Sequence, residues 1–266
     1  MTALYIGAYL DRPPGPKYLE RLSFAELALH DAMPRAGTLR KWRARMPETL
    51  RLAVVAPKSA IQSSDGPLRL DSEELKARVD RLKAAAAAVD ACAIVIQTGP
   101  SVSTGQRDRD RLARFFEYLG QETLPVWSAG GLWEPELAKP FARRLGVTYA
   151  LDPLVEDELP DGDPVYGRLK AIGGRNRFSE GMLWEAAARY AELDGRTGYL
   201  ALESPRSFRE ASTLVSLISE DFGEAADADE DADELDDDDF DAGHLASDEL
   251  FATDASHAPQ EYTPAE

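Results

Sequence analysis

Eight short apolar runs alternate with segments of helical periodicity, which predicts an α/β chain folded as a single (β/α)8, TIM-like barrel. Two further observations favour that class. Runs such as Ala93-Ile94-Val95-Ile96 are apolar throughout, as expected of parallel strands covered on both faces. No Gly-x-Gly-x-x-Gly follows the first run, so an open dinucleotide-binding sheet would lack its phosphate-binding turn.

The first predicted strand is Ala3–Tyr9. The proline-rich stretch after it, LDRPPGPKYLER, reads as a loop rather than a full helix, so the barrel is expected to be irregular at this first connection. Ser23–His30 is the second strand, after which Thr38 can cap a short helix carrying Leu39 and Trp42 that Pro47 stops. Leu52–Ala56 is the third. Asp71 and Glu74 then have capping-box spacing ahead of Leu75, Val79, Leu82 and Val89. Ala91–Thr98 precedes a helix with an apolar stripe of Leu112, Phe115, Phe116 and Leu119. Leu124–Ser128 precedes a weaker helix near residues 136–145, which Pro140 must either start or kink. Val147–Leu151 and Val165–Lys170 are the sixth and seventh strands. Ser179 can cap the next helix, bearing Leu183, Ala187 and Tyr190. Gly198–Leu202 completes the set, and Ser207 with Glu210 forms a capping box ahead of Leu214, Leu217 and Ile218.

Charge divides the chain in two. Of its 48 acidic residues, 19 lie in residues 220–266, where there is no Lys or Arg. Residues 1–219 therefore hold 29 acids against all 30 bases, a formal charge of +1 within a total of -18. The predicted organisation is a barrel domain over residues 1–221 and an acidic, low-complexity, disordered tail over residues 222–266, too charged to bury a core. The tail serves solubility and spacing, or it contacts a basic protein. Phe240, Leu245, Leu250, Phe251 and Tyr262 are its scattered apolar residues. A near-neutral barrel has no overall field for nucleic acid, which is not an expected partner. No run approaches the roughly 18 apolar residues of a membrane span. The opening MTALYIGAYLDRP reads as a strand rather than a signal peptide, so a cytoplasmic location is expected. Cys92, the single cysteine, sits in an apolar run and is expected to be a buried packing residue.

Motifs for zinc, P-loop nucleotide or nucleophile-elbow chemistry are absent, and no cofactor or metal is expected. His244 and His257 lie in the tail, leaving His30 as the one imidazole in the barrel and excluding a centre built on several histidines. Gly173-Gly174-Arg175-Asn176-Arg177 is an ordinary loop or a weak phosphate cradle. In a barrel of this type, sites form at the carboxyl ends of the strands, and that rule selects the candidates. Glu26 and Asp152 are the candidate catalytic bases. Arg168, Lys170, His30, Lys58 and Glu203 are the candidate ligand-binding residues, with Gln97 and Thr98 at the end of the fourth strand. Glu26 is flanked by apolar residues and needs a partner if buried; Arg168 is the natural one, in a structural pair or as part of a ligand site. Lys170 is a surface lysine or an anion clamp, and His30 a loop residue or a base. Asp152 precedes Pro153, where a turn or cap role competes evenly with a catalytic one.

Several ordered landmarks resemble the DUF72 family, a TIM-barrel family of uncertain biochemical function. They are Tyr5-Ile6-Gly7, Phe24-x-Glu26, the Leu-Arg-Lys-Trp pattern ending at Pro47, LRLAVVAPK at Leu50–Lys58, IVIQTGP at Ile94–Pro100 and YGRLKAI at Tyr166–Ile172. The resemblance spans roughly residues 3–220 and implies a relation to endonuclease-IV-like and xylose-isomerase-like barrels. Departures are numerous. The family's opening Gly-Thr-Ser-Gly-Trp becomes Gly7-Ala8-Tyr9-Leu10-Asp11, the asparagine after the second-strand glutamate becomes Ala28, and the third-strand lysine falls at Val55, although Pro57 and Lys58 remain. Glu-x-Arg becomes Trp127-Ser128-Ala129, Arg-x-His-Gly becomes Arg168-Leu169-Lys170-Ala171, and Phe-Asn-Asn becomes Leu202-Glu203-Ser204. Glu26, Asp152 and Arg168 survive; Lys170 and Glu203 are new. The resemblance so altered implies a divergent, non-catalytic barrel that binds a small ligand or protein. The rivals are an enzyme acting on a phosphorylated or acidic small molecule, with a carboxylate base and an Arg/Lys clamp, and a nucleic-acid-processing enzyme suggested by fold analogy alone.

Overall fold

The computed structural model describes residues 3–156, 158–171 and 177–221. The acidic tail and most of the Gly173–Arg177 loop lie outside them. Eight parallel strands close into a barrel: β1 (Ala3–Leu10), β2 (Phe24–Ala28), β3 (Arg51–Val55), β6 (Ala93–Gln97), β7 (Leu124–Ser128), β8 (Thr148–Leu151), β9 (Val165–Lys170) and β10 (Thr197–Glu203). They pair in that order, and β10 closes on β1 with Ala3 opposite Thr197. A small antiparallel hairpin, β4 (Gln62–Ser63) and β5 (Gly66–Pro67), interrupts the third connection. The eight runs expected as strands are all barrel strands, with ends displaced by up to two residues.

Period-two alternation divides the apolar residues between two cores. Phe24, Ala53, Val55, Ala93, Val95, Val126, Tyr166, Tyr199 and Ala201 fill the barrel interior. Phe24 stands edge-on to Tyr166 at 6.0 Å and tilts against Tyr199 at 5.3 Å, so aromatic rings plug the axis. The opposite parity packs under the helices. Trp127 is fully buried there, where it meets Trp133 and Phe141 and donates from Nε1 to Thr98 Oγ1 at 2.9 Å.

Helices α1 (Pro16–Arg21), α2 (Ala36–Arg43), α3 (Glu73–Ala88), α4 (Gln106–Leu119), α5 (Pro135–Leu145), α6 (Glu180–Ala191) and α7 (Ser207–Asp221) surround the barrel. Several sequence expectations need correction. The first connection is not simply a loop, because Pro16 presets helical φ at the first position of α1 and the turn is anchored by buried Tyr18. The Tyr18 hydroxyl donates to Phe24 O (2.6 Å) and accepts from Ala8 N (2.8 Å), stitching β1 to β2. The connection lacking a helix is instead β8–β9, where no helix occurs among the described residues of 152–164. Three prolines there, at 153, 160 and 164, remove backbone donors. Ion pairs hold that loop to α5: Lys139–Glu156 at 2.5 Å and Arg143–Asp161 at 2.6 Å.

Caps also move. Arg35, not Thr38, precedes the first turn of α2, whose Thr38 N–H bonds Arg35 O at 2.9 Å. Ser72 rather than Asp71 caps α3, and Asp71 pairs with Arg69. Pro135 rather than Pro140 begins α5, and Pro140 lies inside it. Ser207 is already helical, so Glu210 reaches Ser204 Oγ and Phe178 N instead of closing a box with it. Ser179 caps α6 as the spacing predicts. Among the described residues, no helix is long and apolar enough to cross a membrane.

Two measurements test this packing. Gly7 lies opposite Phe24, and a Cβ there would come within 1.8 Å of Phe24 O. Gly7→Ala should lower stability by about 1–3 kcal/mol or more, seen as a reduced urea midpoint. Cys92 is half-buried rather than fully covered, and burial still pushes its thiol up to about 12. The thiol form, which is not the nucleophile, therefore dominates near neutral pH. A disulfide reagent should label Cys92 promptly in denaturant and very slowly in the native chain.

Candidate functional site

Glu26 occupies the middle of β2 with no solvent exposure. A lone carboxylate there would cost several kcal/mol, and the fold supplies three donors to offset this. Arg168 Nε lies 2.9 Å from each Glu26 oxygen, its NH2 is 2.8 Å from Oε2, and the Tyr166 hydroxyl donates to Oε1 at 2.8 Å. Burial first, and the Glu26 charge second, raise the Tyr166 phenol well above its ordinary range, which keeps it a proton donor. The strand registers explain the meeting. Arg168 and Tyr166 are two apart on β9 and share a face, and Glu26 points inward from a strand beyond β10 and β1.

The remaining Arg168 donors are also occupied. NH2 lies 3.1 Å from Glu203 Oε2, and NH1 lies 3.4 Å from Ser128 Oγ. With its amide oxygen turned toward the guanidinium, Gln97 accepts from NH1 at 2.7 Å and from NH2 at 2.8 Å. The Tyr9 ring lies beside the guanidinium at 5.9 Å. Burial, then the charges of Asp11 and Glu203, raise the Tyr9 phenol. Glu203 Oε1 continues outward to Lys170 Nζ at 2.7 Å. Exposure grades along this chain of charges, from none at Glu26 through 6% at Arg168 and 23% at Glu203 to 47% at Lys170.

Five sequence candidates therefore gather in one network: Glu26, Gln97, Arg168, Lys170 and Glu203. Asp152 serves the turn after β8, where its Oδ1 accepts from Leu154 N at 3.0 Å. His30 is exposed, with Nε2 4.0 Å from exposed Asp11, a pairing of little energetic weight. Lys58 is exposed at the start of a single 3₁₀ turn, Lys58–Ala60. Tyr166, Ser128 and Tyr9 are members that the sequence reading missed. Tyr166 shares the parity of Arg168, which was the available signal; Ser128 and Tyr9 become partners only through barrel closure. Among the described residues, no group of three or more His, Cys, Asp or Glu side chains is placed to hold a metal ion.

A closed parallel barrel with a buried ion pair at its mouth is the class these features define. No family model and no curated protein matches the sequence. Solved structures do. A DUF72 family protein from Enterococcus faecalis superposes with a TM-score of 0.61 at 11% identity, covering 82% of this chain and 98% of that one. One from Thermotoga maritima gives 0.60 at 12% identity, covering 82% and 99%. A xylose isomerase domain protein from Planctomyces limnophilus gives 0.52 at 12% identity, covering 82% and 98%. At such identities the likeness shows the fold.

Mutation separates a structural pair from a spare charge. Glu26→Leu or Arg168→Met alone should cost about 3–5 kcal/mol by stranding one buried ion, whereas the two together should recover much of that loss. Chemical denaturation of the four proteins measures the coupling, and additive losses would contradict it.

Proposed function

We propose that the chain is a divergent relative of the DUF72 family that binds a small molecule at the barrel mouth and performs no chemistry on it. The engagement of Glu26 carries this reading. Both of its oxygens accept hydrogen bonds from Arg168 or Tyr166, so taking a substrate proton would mean dismantling a buried ion pair. The altered family positions agree with it: Ala28 and Val55 have no proton to exchange. Binding at the carboxyl ends of the strands follows the general placement of sites in such barrels. The half-exposed outer layer of the network, Glu203 and Lys170, leaves polar groups within a ligand's reach.

A thermal-shift screen of the full chain against sugar phosphates, nucleotides, organic acids and divalent metals tests this reading. A ligand at 100 times its Kd stabilises by about 2.7 kcal/mol and raises the melting temperature. The expected result is a stabilising compound recovered chemically unchanged after long incubation. Conversion of that compound, lost in a Glu26→Gln variant that still folds, would install the enzyme reading instead, with Glu26 as base and Arg168 and Lys170 as anion clamp.

A further inference from the structure

Glu203 and Lys170 are register partners at the last positions of β10 and β9. The Glu203 carboxylate spans two cations, one oxygen to each: Oε2 to Arg168 at 3.1 Å and Oε1 to Lys170 at 2.7 Å. Neither cation depends on it. The Arg168 charge is already matched by Glu26, and Lys170 is 47% exposed and solvated by water. Two neutral polar side chains also border Arg168. Ser128 Oγ is used as an acceptor by Arg168, which leaves its hydroxyl proton for another acceptor. Gln97, with its oxygen on the guanidinium, carries its NH2 on the opposite side of the amide. Both side chains belong to half-buried residues at the ends of β6 and β7.

We propose that Arg168 and Lys170 form a seat for an oxyanion, a carboxylate or a phosphate, and that Glu203 occupies it as a resident carboxylate which the ligand displaces. This rests on the mouth being a ligand site and adds the chemistry of the ligand. Glu203 is the group suited to leave. It is partly exposed at a strand end, so rotation into solvent restores its hydration without disturbing Glu26. The incoming oxyanion takes over the same two cations, with the Ser128 hydroxyl beside Arg168 as a further donor. A phosphate monoester brings more charge to the two cations than the glutamate it replaces. Because Glu203 is tethered, it competes at high effective concentration and sets the affinity of the native chain.

Calorimetric titration of the full chain at low ionic strength, with inorganic phosphate and separately with succinate, tests the seat in wild type, Glu203→Gln and Lys170→Ala. Wild type should bind at least one anion saturably. Glu203→Gln should bind it roughly tenfold tighter or more, and Lys170→Ala roughly tenfold weaker, the scale of one charge at contact distance. Binding of phosphate alone points to phosphorylated ligands, and of succinate alone to organic acids. Equal affinity in all three proteins, or no binding by wild type and Glu203→Gln, overturns the seat. Binding by Glu203→Gln alone makes Glu203 a permanent partner and overturns the displacement. A compound that stabilises wild type and ignores both substitutions overturns the seat and leaves the mouth a ligand site. Turnover of a bound oxyanion does the reverse, keeping the seat and removing the non-catalytic reading.

Discussion

The Arg168 guanidinium is the point on which the upper barrel depends. From β9 it reaches side chains on four other strands: Glu26 on β2, Gln97 on β6, Ser128 on β7 and Glu203 on β10. A planar group with five donors in fixed directions can satisfy such a ring, which a lysine could not. Burying that charge is tolerable because Glu26 faces it across the interior with two oxygens, and Tyr166 supplies the last donor. The pair is separated by 142 residues, so it forms only when the barrel is closed. Its burial carries an electrostatic cost that an apolar core would avoid.

This arrangement stacks two kinds of layer along the axis. Below Glu26 the interior is aromatic, with Phe24, Tyr166 and Tyr199 in contact. Above it the side chains become polar and progressively exposed. The buried part of the network has little freedom to do chemistry, since each donor has an acceptor. The outer part, where Glu203 meets Lys170, has both solvent access and charge. The network is therefore locked at its buried end and open to solvent at its outer end.

The outer wall shows the same economy. Six barrel connections place a helix between consecutive strands, and the β8–β9 connection replaces one with a loop fastened by two ion pairs. The Lys139–Glu156 bond is the stronger fastening, because its carboxylate is nearly buried; Arg143–Asp161 is exposed and screened by solvent. The short helix α1 contributes through a single residue, the Tyr18 hydroxyl that bridges β1 and β2.

Local patterns in the chain determined the strands, most helices, the barrel class and the near-neutral charge of the domain against its acidic tail. Those properties depend on period, composition and residues a few positions apart. The need of Glu26 for a partner was equally legible, since a carboxylate within Phe24-Ala25-Glu26-Leu27-Ala28 has nowhere else to go. Shared parity on β9 indicated Arg168. The caps differ from local expectation because Ser72 competes with its neighbour Asp71 of similar chemistry, while α2 begins after Arg35 without any side-chain cap. What only the tertiary structure decided was the company that Arg168 keeps. Gln97, Ser128 and Glu203 come from separate strands, and closure and register set their distances from it. No local propensity encodes the angle at which a barrel brings the ends of its strands together.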